Sequence, residues 1–244
     1  MRAIFKKEIN AFFANTTGFI VLCIYWIVNV LFLWFVNTDY TILNSGNANL
    51  IPFFELSAWM FIFLIPAICM KSFSEEQKLG TLELLYTKPI TKLNLVLGKF
   101  WAALAISGIA LLPSLLYVVC IHFLAKENAS VDFPAIFGSY LGLILLTSCY
   151  IAISLLASAW SKNQILSFSL GTVFCLAAFF ALEGISNIAL FGSSIYALEY
   201  LSLSYHYNSL SRGVIDTRNI IYFLSFTCLF IAFCIHRLQK TQEQ

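Results

Sequence analysis

Apolar residues gather in long unbroken blocks, not in the i, i+3, i+4 stripes of a soluble helix or the alternation of a half-buried strand. Six blocks approach or exceed the ~20 residues an α-helix needs to cross a hydrocarbon core. They run from about Phe19 to Val36, Phe53 to Met70, Phe100 to Leu124, Ala135 to Trp160, Gln164 to Leu182 and Ile220 to His236. The pattern predicts an all-α polytopic membrane protein, a single transmembrane domain over residues 1–244 with six transmembrane helices. Between the last two blocks, Ile185 to Leu203 is apolar but is broken by Gly192-Ser193-Ser194 and carries Glu199. That interruption predicts a re-entrant segment before span 6, within an outer region 184–217, and not a seventh span.

Composition supports lipid as the main solvent. Hydrophobic residues make up 60% and charged residues 11%, against roughly a quarter charged in soluble domains. The net charge of +2 is too small and too scattered to mark a nucleic-acid partner. Where the charges fall is more informative. With six spans, Lys and Arg number 11 on the side holding both chain ends and 3 on the other; a seventh span would reduce this to 9 against 5. The positive-inside rule therefore predicts both termini in the cytoplasm. The first block is long for a signal peptide and is followed by Asn37-Thr38-Asp39-Tyr40, which predicts a retained helix. The seven cysteines all lie in apolar runs without C-x-x-C spacing and read as small hydrophobes.

The polar islands carry the candidate chemistry. In residues 1–15, Phe5, Ile9, Phe12 and Phe13 share one helical face, with Arg2, Lys6, Lys7 and Asn10 largely opposite. Such a segment predicts an amphipathic interfacial helix lying at the membrane surface. The longest polar stretch, 71–99, joins spans 2 and 3. Gly80 suits a helix end. Leu82, Leu84, Leu85 and Tyr86 form an apolar cluster, Pro89 stops continuation, and Thr91 is placed to cap the next helix. A short apolar helix held off the membrane by two helical stalks fits a groove on a partner protein.

The run Glu75-Glu76-x-x-x-Gly80-Thr81-Leu82-Glu83-x-Leu85, followed by Pro89 and Gly98-Lys99, resembles the cytoplasmic loop of ABC-2 type transporter permeases. The amphipathic first helix, the six spans, the broken segment and Ser211-Arg212-Gly213-Val214-Ile215-Asp216 are similar too, in details that resemble the gliding-motility-associated branch of that family. The resemblance implies a permease subunit in a bacterial inner membrane, with a coupling helix that docks on a separate ABC ATPase subunit. It further implies a second permease copy or related permease-associated subunit. Carried over by position, the ATPase contact would involve Glu75, Glu76, Gly80, Thr81, Leu82, Glu83, Leu84, Leu85 and Pro89.

Charges near the bilayer each need a physical account. Glu55, Glu183, Glu199, Arg212 and Asp216 are candidates for pathway or structural roles, with interface placement the plainer reading for Glu55 and helix capping for Asp216. No G-x-x-x-x-G-K-[ST] loop is present, so ATP is expected on the partner, with no cofactor or metal bound by this chain. A membrane scaffold within a motility or secretion machine would need the same docking surface. An intramembrane lipid-modifying enzyme would need acids or histidines clustered at one depth, and those here are scattered.

Overall fold

The computed structural model describes residues 1–36, 38, 40–41, 49–86, 91–124, 132–181, 184, 200–213 and 216–242. Among them every regular element is helical: α1 (Arg2–Ala14), α2 (Thr16–Val30), α3 (Ile51–Cys69), α4 (Ser74–Lys78), α5 (Thr81–Tyr86), α6 (Lys92–Leu111), α7 (Leu115–Leu124), α8 (Phe133–Trp160), α9 (Gln164–Leu176), α10 (Leu203–Ser211) and α11 (Thr217–Gln242). Two π-turns, Leu31–Phe35 and Ala177–Ala181, prolong α2 and α9. Side chains place several of the helix starts. Thr91 Oγ1 accepts from the Asn94 N–H at 3.3 Å, Asp132 from Ala135 at 3.1 Å, and Asp216 from Arg218 at 2.9 Å. Each satisfies a backbone donor that the first helical turn leaves free.

Among the described residues, five helices are long and apolar enough to cross a membrane: Thr16–Phe35, Ile51–Lys78, Lys92–Phe123, Phe133–Trp160 and Thr217–Lys240. The expected fifth span is the shorter apolar helix Gln164–Phe180. Its described residues rise about 25 Å, and residues 182–183, next after its π-turn, lie outside the described residues. It runs antiparallel to α8, and its π-turn reaches α10. The third apolar block is one span made of two pieces, because Pro113 lies in a 3-10 turn, Leu112–Ser114, between α6 and α7. Proline removes a helical donor and crowds the preceding turn, so the helix changes winding there. The broken segment 185–199 lies outside the described residues.

The bundle is organised around α8. This helix is mostly buried, whereas most of α2 and α11 faces outward. α3, α6, α9, α10 and α11 all pack on it. Small residues along α8 permit the close approach that membrane helices rely on, and its hydroxyls add neutral links: Ser148 to Thr227 at 3.0 Å, and Ser139 to the Ser211 carbonyl at 3.0 Å. At one end of the bundle α8 meets α4, and at the other it meets α10. These are called the α4 end and the α10 end below.

Candidate functional site

Between α3 and α6 the chain passes through two short helices set at an elbow. Glu75 and Glu76 occupy the first turn of α4 and Lys78 the last, the arrangement the helix dipole favours. Gly80 then adopts φ +67°. A Cβ there would meet nothing within 4 Å, so it is the left-handed backbone that calls for glycine. α5 starts at the next residue.

The elbow is braced from three directions. Against α8, Ser158 Oγ accepts from the N–H groups of Phe73 (3.0 Å) and Ser74 (3.1 Å) and donates to the Met70 carbonyl at 3.3 Å, while the Gln77 amide donates to the Ala159 carbonyl at 3.0 Å. Against α6, Lys99 pairs with Glu76 Oε2 at 2.9 Å, donates to the Ser72 carbonyl, and sits 4.8 Å from the Phe73 ring centre. Against α1, Lys7 pairs with Glu76 Oε1 at 2.6 Å. Glu8 closes the set, 2.9 Å from Lys99. The result is a four-membered network that joins α1, α4 and α6.

The network works because it is complete. The Lys99 side chain is 1% exposed and that of Glu76 10%. A buried ammonium is costly unless carboxylates and hydrogen bonds replace its water, and here two carboxylates and a carbonyl do so. Lys7 lies at the rim. Burial disfavours its charge, but the hydrogen bond to Glu76 and the fields of Glu76, Glu8 and Glu75 outweigh that, raising its pKa above the ordinary lysine value. The close approach of α1 depends on Gly98, where a Cβ would lie 3.0 Å from Ile4. The pair Gly98-Lys99 thus has a joint structural role: glycine admits α1 and lysine fastens it.

The expected contact residues divide. Gly80 and Glu83 are exposed, and Glu75 and Thr81 are half-buried. Glu76 is committed to the internal network, and Leu82 is buried, so the structure turns both away from any partner's reach. Leu84 and Leu85 lie on α5 with side chains outside the described set, and Pro89 lies outside the described residues. Leu79, unnoticed in the sequence pattern, is 67% exposed at the elbow. Of the charges considered for a pathway, Glu55 and Arg212 are exposed, Asp216 caps α11, and none of the described ion pairs includes them. Glu183 and Glu199 fall outside the described residues. Among the described residues no three His, Cys, Asp or Glu side chains are placed to hold a metal ion.

Sequence reasoning missed Glu8 altogether and read Lys99 as a member of the family motif and a cytoplasmic-side charge, without a partner for it. The available signal was a lone lysine flanked by Val96, Leu97, Phe100 and Trp101, since a cation within an apolar helix calls for a carboxylate.

A helical bundle with several spans and a braced helical elbow at one end defines a multi-pass membrane protein. The sequence matches the family described as ABC-2 family transporter protein across residues 3–242. The chain belongs to that family, and is accordingly the membrane-embedded, permease component of an ABC transporter. A search of curated proteins finds no match to it.

Proposed function

We propose that the α4–α5 elbow is the coupling element through which a separate ABC ATPase subunit drives this permease. The observation that carries the reading is the bracing of the elbow. Ser158, Lys99 and Lys7 tie it to α8, α6 and α1, so a push on the elbow is delivered to the central helix and to two others together. The surface it offers includes Lys78, Leu79, Gly80 and Glu83, all exposed. An apolar side chain beside a charged one on a projecting turn suits a groove with a charged rim.

In this reading the α4 end faces the cytoplasm of a bacterial inner membrane, as the 11-to-3 distribution of Lys and Arg favours. The helix Gln164–Phe180 serves as the fifth of six spans, and α1 lies along the membrane surface. The permease acts as a pair, with a second copy or a related chain, beneath two ATPase subunits. The motif run from Glu75 to Lys99 supports the ABC-2 superfamily, and overall similarity along the chain supports placing it in the gliding-motility-associated branch typified by GldF, where export or assembly of the motility machinery would be the driven process.

The test is recovery of a P-loop ATPase with the tagged, detergent-solubilised protein. Stoichiometric recovery that is lost in Leu79→Asp and Glu83→Lys, with both variants inserted and monodisperse, is the expected result. Recovery at wild-type levels from both variants would remove the elbow from the interface. No ATPase from any mild detergent would favour a scaffold.

A further inference from the structure

Beside the ion network lies a cavity of about 410 Å³, within the range of small-ligand sites (roughly 300–1,000 Å³). Its apolar wall combines Ala67 and Ile68 of α3 with Ala102, Ala103 and Ile106 of α6. Its mouth is rimmed by Ala11, Asn15 and Thr17, which are exposed and lie where amphipathic α1 turns into α2. That junction marks the depth at which lipid headgroups meet hydrocarbon.

The charges of the lining are balanced but not all paired. Lys7, Glu8, Glu76 and Lys99 satisfy one another. Lys71 and Glu75 remain. Both line the cavity and both are half-buried. The Lys71 ammonium donates to Thr17 Oγ1 at 3.1 Å, and no described ion pair includes either residue. The cavity thus presents one cation and one carboxylate, farther apart than an ion pair, at the open end of an apolar slot.

We propose that this cavity binds a zwitterionic phospholipid with a primary-ammonium headgroup, its phosphate on Lys71, its ammonium on Glu75 and its first methylenes against Ala67, Ala102 and Ala103. The chemistry separates this lipid from its neighbours. A glycerol headgroup brings the phosphate but leaves the Glu75 carboxylate without a cation. A choline headgroup brings a cation that cannot donate a hydrogen bond, and such groups are recognised by aromatic cages; Phe12 is the lone aromatic residue of the lining. Leu79 lines the cavity and also belongs to the exposed turn proposed for ATPase docking, but the two headgroup contacts, Lys71 and Glu75, lie outside that turn, so their substitution tests lipid selectivity and not docking.

The test is native mass spectrometry of the intact, full-length protein after exchange into mixed micelles holding equal amounts of ethanolamine-, choline- and glycerol-headgroup phospholipids. The wild type should retain the ethanolamine lipid ~10-fold over the others, as a single charge-assisted hydrogen bond implies. Lys71→Glu and Glu75→Lys should each abolish that preference, while Lys78→Glu, a charge on α4 outside the cavity, should keep it. Equal retention of the three lipids by the wild type would overturn the proposal, as would preference for the glycerol lipid. Unchanged selectivity in both cavity variants would do the same.

Discussion

At the α4 end, four charged side chains fasten α1, α4 and α6 to one another. At the α10 end the corresponding ties are neutral. Tyr207 Oη donates to the Phe54 carbonyl at 2.8 Å, Ser139 to the Ser211 carbonyl at 3.0 Å, and the Asn219 amide to Ser209 at 3.0 Å, with His206 stacked on Tyr222. The ends differ in what loss of one member leaves behind. Removing a neutral hydroxyl strands one carbonyl, which has a second lone pair and can find another donor. Removing one charge strands the opposite charge in a place without water. Ionic ties therefore make an all-or-none joint, and neutral ties a graded one. An all-or-none joint suits the end proposed above as the coupling element.

The sharpest way to break this contrast is Lys99→Met, which leaves Glu8 and Glu76 without their buried cation and only Lys7, at the rim, to answer both carboxylates. The expected loss is about 3–5 kcal/mol, read as a lower thermal midpoint in detergent together with protease access to the α1–α2 junction. The triple substitution Glu8→Gln, Glu76→Gln, Lys99→Met removes every buried charge of the set, leaving only Lys7, which is solvated at the rim, and should recover most of that loss because no buried charge is orphaned. If the triple variant is as unstable as the single one, packing and not charge holds this end.

Gly98→Val comes next, at about 1–3 kcal/mol, because its side chain meets Ile4 and lifts α1 from α6. Its signature should match that of Lys99→Met in the protease assay, with the ion pairs broken by distance instead of deletion. At the other end, Tyr207→Phe should cost only about 1 kcal/mol and leave the α1–α2 junction protected; a loss as large as that of Lys99→Met would erase the distinction between the ends. The smallest effect is one of pH. Because the folded-state pKa of Lys7 is raised, its contribution is fully present below the ordinary lysine value and is lost as pH climbs through the raised value. The wild type should therefore lose more stability in that alkaline window than Lys7→Met does, in matched thermal scans.

The sequence discloses the two ends unequally. Helices α2, α3, α8 and α11 are legible because lipid imposes one demand along each of them, a long apolar run, and the Thr91 cap is legible because capping is local. The network is not local. Glu8 and Lys99 are 91 residues apart, and nothing in the surroundings of Glu8 distinguishes it from any polar-face acid on an amphipathic helix. The same holds for Glu76 and Leu82. Composition places them in an exposed loop, whereas tertiary packing turns them inward.

The order of residues in the network has a consequence for how the protein is made. Synthesis delivers Lys7 and Glu8 first, Glu76 some 69 residues later than Lys7, and Lys99 last of all. Until α6 emerges, α1 has neither its glycine-lined seat nor its cation, and the first span stands at the membrane with a carboxylate unmatched. Arrival of Lys99 completes the cluster in one step and turns a provisional hairpin into a fixed one. The fastening of α1 is thus conditional on the third span: a chain whose α6 is misplaced lacks both Gly98 and Lys99 at this seat, and its first helix has no buried cation to hold it.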